Sequence, residues 1–149
     1  MRLVLQRVSR AAVRRAHEII AEIGPGLLIL VGVGRTDADG EEAWLASKVA
    51  TLRIFEDEQG RMNRSIQDTG GEVLVVPQFT LYGDARRGRR PSWDAAADPE
   101  VARERVETFA RALEVHGLTV RRGAFQEHME VELVNDGPVT ILLDGRPLS

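Results

Sequence analysis

Cysteine is absent from the 149 residues, which removes disulfide staples, thiolate catalysis and cysteine-based zinc sites together. Lysine is nearly absent: of the twenty basic residues only Lys48 is not arginine. So skewed a usage makes the clustering of arginines, and not the choice of arginine itself, the informative signal. The three histidines, His17, His116 and His128, lie in separate segments, and His17-Glu18 has no second histidine four residues after the first. An enzyme built on this chain therefore works without a Ser-His-Asp or Cys-His device. A Gly-x-Ser-x-Gly elbow and a phosphate loop ending in Gly-Lys-Ser/Thr are also missing, and Gly32-Val33-Gly34 lacks the third glycine of a dinucleotide fingerprint. No stretch reaches the roughly 18 apolar residues of a membrane span. Met1 to Arg7 has neither the apolar core nor the cleavage site of a signal peptide, so a cytoplasmic address with no membrane partner is expected. Neither a metal nor a cofactor is expected.

What is present is ordinary for a globular protein: 43% hydrophobic and 29% charged residues, with a net charge of −3. A nucleic-acid partner would have to be held by a local patch. With no internal repeat, low-complexity tract or linker, the length predicts one domain over residues 1–149 that buries about two thirds of its unfolded surface.

Leu3 to Val13 reads as an opening strand and Ile19 to Ile23 as a second, ending at the turn Gly24-Pro25-Gly26. Leu27-Leu28-Ile29-Leu30-Val31 is a continuous apolar run, the mark of a strand buried on both faces. Asp39 with Glu42 three residues on predicts a capping box for a helix over 40–52, with Trp44, Leu45, Val49 and Leu52 at helical spacing. Arg53 to Glu56 returns to strand before the turn Asp57 to Gly60, and Val73 to Val76 is a further buried strand. Asp98, Pro99 and Gly117 bracket a second helix whose apolar stripe is Ala102, Val106, Phe109, Ala110 and Leu113. Leu118 to Arg122, Met129 to Val134 and Val139 to Leu143 are expected as three closing strands. The pattern predicts an α/β fold, two long helices over a mixed or antiparallel sheet.

Three segments stand out chemically. In Pro77-Gln78-Phe79-Thr80-Leu81-Tyr82 a buried strand meets a proline, which breaks pairing and leaves main-chain donors free for a ligand; an edge strand is the plainer reading. Asn135-Asp136-Gly137-Pro138-Val139-Thr140 is strong turn chemistry, first read as a hairpin between two strands. Arg86-Arg87-Gly88-Arg89-Arg90-Pro91 puts four guanidinium groups within five residues, suited to repeated phosphate contacts, or else a solvated loop. Nearby Tyr82 and Trp93 could stack on an unpaired base.

Together these segments resemble the D-aminoacyl-tRNA deacylase family, also called D-tyrosyl-tRNA deacylases. The resemblance runs almost end to end, through Met1-Arg2-Leu3-Val4-Leu5-Gln6-Arg7-Val8, Gly24-Pro25-Gly26-Leu27-Leu28, Leu52-Arg53-Ile54-Phe55 and Val131 to Thr140. It implies a barrel-like sheet and a homodimer with active sites at the subunit interface, acting on aminoacyl-tRNA. The Gly137-Pro138 bond would be cis and would project into the partner's pocket, facing the catalytic segment Gln78-Phe79-Thr80, with Asn135, Phe125 and Met129 in the substrate pocket and Arg86, Arg87, Arg89 and Arg90 on the tRNA. Two departures concern the pocket. The family's first motif usually begins with Ser where this chain has Pro77, a residue found in related animal deacylases that edit L-alanine from threonine tRNA. That relative has Ala where Phe79 stands, so Phe79 and Asn135-Asp136 favour the D-specific branch. The family also tends to have Gly-Ala where this chain has Gln126-Glu127.

The chemistry needs little from side chains, because an aminoacyl ester is already activated. Free amides near Phe79 and Thr80 would hold the oxyanion while the ribose 2′-hydroxyl positions water. Nucleophilic Thr80 is the competing mechanism. Rival functions are an L-alanyl-tRNA editor, suggested by Pro77, a non-catalytic tRNA-binding module built around Arg86 to Arg90, and a dimeric small-molecule binder.

Overall fold

A computed structural model describes residues 1–145 of the chain. Its elements run β1 (Arg2–Arg15), β2 (Glu18–Ile23), β3 (Gly26–Gly32), α1 (Glu41–Thr51), β4 (Phe55–Glu56), β5 (Met62–Arg64), α2 (Ile66–Thr69), β6 (Glu72–Pro77), a 3-10 turn (Phe79–Tyr82), α3 (Pro99–Val115), β7 (Thr119–Arg122) and β8 (Glu130–Asp144). The main sheet has the order β2-β1-β3-β6-β7, and β8 lies along β1. Pairing is antiparallel from β1 to β2, β3 and β8, and parallel from β3 to β6 and β6 to β7, so the sheet is mixed as expected. It curls until β2 approaches β6 and β7, giving a nearly closed, barrel-like form.

Alternation in the central strands explains their unbroken apolar runs. Leu27, Ile29 and Val31 of β3, with Val73 and Val75 of β6, pack under α1 and α3 against Leu45, Val49, Phe109 and Leu113. Leu28, Leu74 and Val76 point the other way, into a second cluster with Val8, Val13 and Ile23 that the curled end of the sheet covers. Both faces are dry, so neither could carry polar residues. The close approach of β3 to β6 requires Gly26, where an added Cβ would lie 1.8 Å from the Glu72 carbonyl oxygen. No helix of the described residues is long and apolar enough to cross a membrane.

Four local expectations are corrected. The first helix is not capped by Asp39: its N-cap is Gly40, at φ 84°, with no side-chain cap bond. Glu42 is instead buried and receives the Arg105 guanidinium at 2.5 Å, tying α1 to α3. The strand expected over 53–56 shrinks to β4, paired only with β5. A short helix, α2, was not foreseen, although Ser65 and Asp68 form the reciprocal capping box that announces it. Finally, the two strands expected either side of Asn135–Pro138 are one strand, β8. At 14 residues β1 is long enough to pair with both halves, and so no hairpin forms.

Candidate active site

The strand β6 ends at Pro77, whose missing N–H cannot continue the ladder. The Gln78 amide makes the last bond, to the Val31 carbonyl at 2.8 Å, and the chain then winds into the 3-10 turn, closed by Leu81 N–H to the Gln78 carbonyl at 3.3 Å. The first amides of such a turn have no acceptor within it. The Phe79 and Thr80 N–H groups are those amides, and Phe79 and Thr80 are both exposed. The Gln78 side-chain amide donates to the Thr80 hydroxyl at 2.8 Å. No histidine or carboxylate of the described residues hydrogen-bonds to that hydroxyl. Tyr82 fixes the far end of the turn: its hydroxyl donates to Asp37 at 3.3 Å and the Arg2 guanidinium lies 4.9 Å above its ring. Burial, reinforced by the Asp37 carboxylate, pushes the phenol well above its ordinary value, so Tyr82 stays neutral. Being locked in this way, it is no stacking surface.

Beside the turn lies a cavity of about 380 Å³ whose wall includes Pro77, Gln78, Phe79, Trp93, Phe125 and Gln126. Phe125 is held in the wall by the Arg103 guanidinium, 4.6 Å from its ring centre. Gln126 adopts φ 57°, a left-handed conformation that a glycine at this position would take without strain. Met129 does not line the cavity. Its sulfur accepts from the Ala124 amide at 3.2 Å and packs under Gly123, buttressing the segment that carries Phe125.

On β8, Thr140 pairs with Gln6 and Asn135 with Val8, so Asp136, Gly137, Pro138 and Val139 stand opposite Arg7 alone and bulge from the sheet. Arg7 is 5% exposed and holds the bulge by donating Nε to the Asp136 carbonyl and Nη1 to the Ile54 carbonyl, both at 2.8 Å. Asn135 closes its base, accepting from the Val139 amide at 2.7 Å and donating to the Val139 carbonyl and the Thr140 hydroxyl. The Gly137-Pro138 peptide is cis and Gly137 has φ 141°. Within one chain this bulge does not meet the turn. Arg7 pairs with Leu27, whereas Pro77 pairs with Val31. The two motifs are therefore separated by about 13 Å along the strands and about 14 Å across three strand spacings. Thus Gln78, Phe79, Thr80 and Phe125 are brought together, while Asn135, Gly137 and Pro138 are not. Sequence reasoning missed Arg7, although Leu3, Leu5 and Arg7 alternate onto one buried face.

Comparison with known proteins decides the family. The family described as D-Tyr-tRNA(Tyr) deacylase matches residues 4–144. The chain belongs to that deacylase family. Relatives named D-aminoacyl-tRNA deacylase include those of Symbiobacterium thermophilum, 59% identical over 97% of this chain and 96% of the relative, and Koribacter versatilis, 58% identical over 98% of each. Among solved structures, one titled c-Myc DNA Unwinding Element Binding Protein superposes with a TM-score of 0.89 at 36% identity, covering 97% of this chain and 98% of that one. A structure titled as a probable eukaryotic D-amino acid tRNA deacylase shares the fold, with a TM-score of 0.81 at 16% identity over 95% and 97% of the two chains.

This D-Tyr-tRNA(Tyr) deacylase family member carries its arginine loop just beyond the turn. Asp84 and Ser92 pair across its base, each amide donating to the other's carbonyl at 2.8 Å. Arg86 is committed to Asp84, donating Nε at 2.9 Å and Nη2 at 2.7 Å, and these bonds hold the Asp84 carboxyl down at about 2. Arg87, Arg89 and Arg90 are exposed and form no ion pair with the described residues. The four cations expected from the sequence thus reduce to three that are available. None of the histidines lines the cavity: His17 sits in the β1–β2 turn and His116 caps α3.

Proposed function

We propose that the chain is a cytoplasmic enzyme, one domain working as a homodimer, that hydrolyses the ester between a D-amino acid and the 3′ end of tRNA. The observation that carries this reading is the end-to-end likeness to relatives named D-aminoacyl-tRNA deacylase, and the geometry of the turn supports it. The ester carbonyl rests against the Phe79 and Thr80 amides, which stabilise the oxyanion as water adds. The 2′-hydroxyl of the terminal ribose orients that water, and the carbon–oxygen bond breaks to release the free amino acid and the tRNA 3′-hydroxyl. Among the described residues no base reaches the Thr80 hydroxyl, and on this reading it acts through its hydrogen bond with Gln78, not as the nucleophile.

Chiral selection is assigned to the Gly137-Pro138 corner of a second copy. The separation of the two motifs within one chain favours a site completed by a partner. Among the described residues the long strand β8 pairs only with β1 and carries exposed Val131, Val134 and Leu142, which leaves its outer edge open to such a contact. An obstacle worth roughly 4 kcal/mol against an L side chain would discriminate about a thousandfold. Glycine has no side chain to exclude, so glycyl-tRNA is cleaved as well.

Parallel incubation with D-tyrosyl-, L-tyrosyl-, glycyl- and L-alanyl-tRNA tests the proposal. Loss of the D-tyrosyl and glycyl esters with retention of L-tyrosyl is expected. Pro77 in the cavity wall favours one second reading, an L-alanyl editor, and preferential loss of the L-alanyl ester would put that reading in its place.

A further inference from the structure

Two large aromatic side chains are left in the open beside the cavity. Phe79 is 57% exposed and Trp93 41%, and their rings meet edge to face, 5.2 Å between centroids at 70°. Neither is there to fill the core. Trp93 is nevertheless fixed from behind: an added Cβ on Gly83 would lie 2.6 Å from its six-membered ring, so glycine there lets the indole lie against the main chain. The Trp93 carbonyl also accepts from the Ala96 amide at 3.0 Å. Trp93 immediately follows the closed base of the arginine loop, whose Arg87, Arg89 and Arg90 are exposed and make no ion pair with the described residues. A rigid exposed ring pair flanked by cations free to meet phosphates is the chemistry of a single-stranded RNA platform, where bases stack on aromatics and arginines follow the backbone.

We infer that the Phe79–Trp93 pair stacks the unpaired nucleotide preceding the terminal adenosine, and that Arg87, Arg89 and Arg90 take the phosphates upstream of it. The inference rests on the deacylase reading for where the ester lies. With the ester against the Phe79 and Thr80 amides, the terminal ribose sits at the turn, and the next unpaired base meets the ring of Phe79 and then Trp93. The same placement explains why the cationic loop follows the catalytic turn so closely in the chain.

The test separates platform from catalysis. In a Trp44→Phe background Trp93 is the sole tryptophan. Its fluorescence is titrated with an uncharged RNA hairpin carrying an unpaired 3′ tail and with the same hairpin cut blunt. Quenching by the tailed RNA alone is expected; equal quenching by both, by neither, or a change that follows protein dilution instead of RNA overturns the inference. In a second arm Trp93→Ala is compared on a D-aminoacyl hairpin and on a bare D-aminoacyl adenosine. The KM for the hairpin ester should rise between about fivefold and 150-fold more than that for the nucleoside ester, and Trp93→Phe should restore most of it. An equal loss on both esters would make Trp93 a merely structural residue and refute the platform. If the wild type cleaves neither ester while the tail still quenches Trp93, the deacylase reading fails and the platform stands.

Discussion

Replacing Arg7 with Met is the most demanding test of how the Gly137-Pro138 corner is held. The guanidinium is buried on the same face as Leu3 and Leu5 and bridges two carbonyls, those of Asp136 in the bulge and Ile54 after α1. Hydrogen bonds from a charged donor are worth about 1.5–3 kcal/mol each. Ile54 is 7% exposed, whereas Asp136 is open to water and recovers part of its loss by hydration. The sum is about 2–4 kcal/mol. For a chain of this size that lowers the unfolding midpoint by about 4–16 °C. Because the lost bonds anchor the bulge, the preference for D- over L-tyrosyl-tRNA should fall at least about tenfold, equivalent to about 1.4 kcal/mol. Arg7→Lys keeps the charge but loses the planar fork that reaches two acceptors at once, and should recover only part of either effect. Calorimetry and competing D- and L-ester hydrolysis measure both quantities. An Arg7→Met protein with unchanged melting and unchanged selectivity would show that the bulge holds its own shape, and the argument would fail.

Thr80→Ala should keep turnover of D-tyrosyl-tRNA within about tenfold, whereas a 2′-deoxy terminal ribose should cost about a hundredfold or more; collapse of turnover in Thr80→Ala with binding intact would make the hydroxyl the nucleophile. Combined Arg87→Ala, Arg89→Ala and Arg90→Ala should make the plot of log affinity against log salt shallower by about 2, while Arg86→Ala, whose charge Asp84 already engages, should change it least. Burial raises the Glu42 carboxyl, but the Arg105 hydrogen bond and charge outweigh that and leave it below its ordinary value. A lowered carboxylate contributes stability above its unfolded value, and that stability disappears as pH falls through the folded value. Arg105→Met removes the compensation. The melting gap between wild type and this variant should therefore be widest near neutrality and close on acidification; a gap that widens in acid would contradict the pairing.

Most of the scaffold could be read directly because period and burial agree. The runs at Leu27 and Val73 belong to strands dry on both sides, and the stripe from Ala102 to Leu113 lies against the sheet where helical spacing puts it. Two of the misreadings share a cause, local chemistry overruled by a distant partner. Asp39 and Glu42 have capping-box spacing, but the carboxylate of Glu42 is drawn to Arg105 on α3. Asn135 to Pro138 has hairpin residues, but β1 extends past them and pairs with both sides. At the site, Pro77 correctly marked where strand pairing stops, yet only coordinates reveal that the chain winds into a 3-10 turn instead of continuing as an edge strand. Met129 packs under Gly123 behind the segment that carries Phe125, and Tyr82 is fixed by Asp37 and Arg2, placements that no local pattern announces. Separations in space, such as that between Gln78 and Gly137, have no counterpart in one-dimensional spacing.

The excursion on β8 leaves and rejoins the sheet between two fixed points, the pairings of Asn135 with Val8 and Thr140 with Gln6. Outside those points the register of the strand is set by the long β1 and owes nothing to what lies between. Residues 136–139 thus form an exchangeable cassette. If the corner of a second copy does select the substrate, drift there would reshape which substrates are admitted while the strand pairing on either side keeps its alignment.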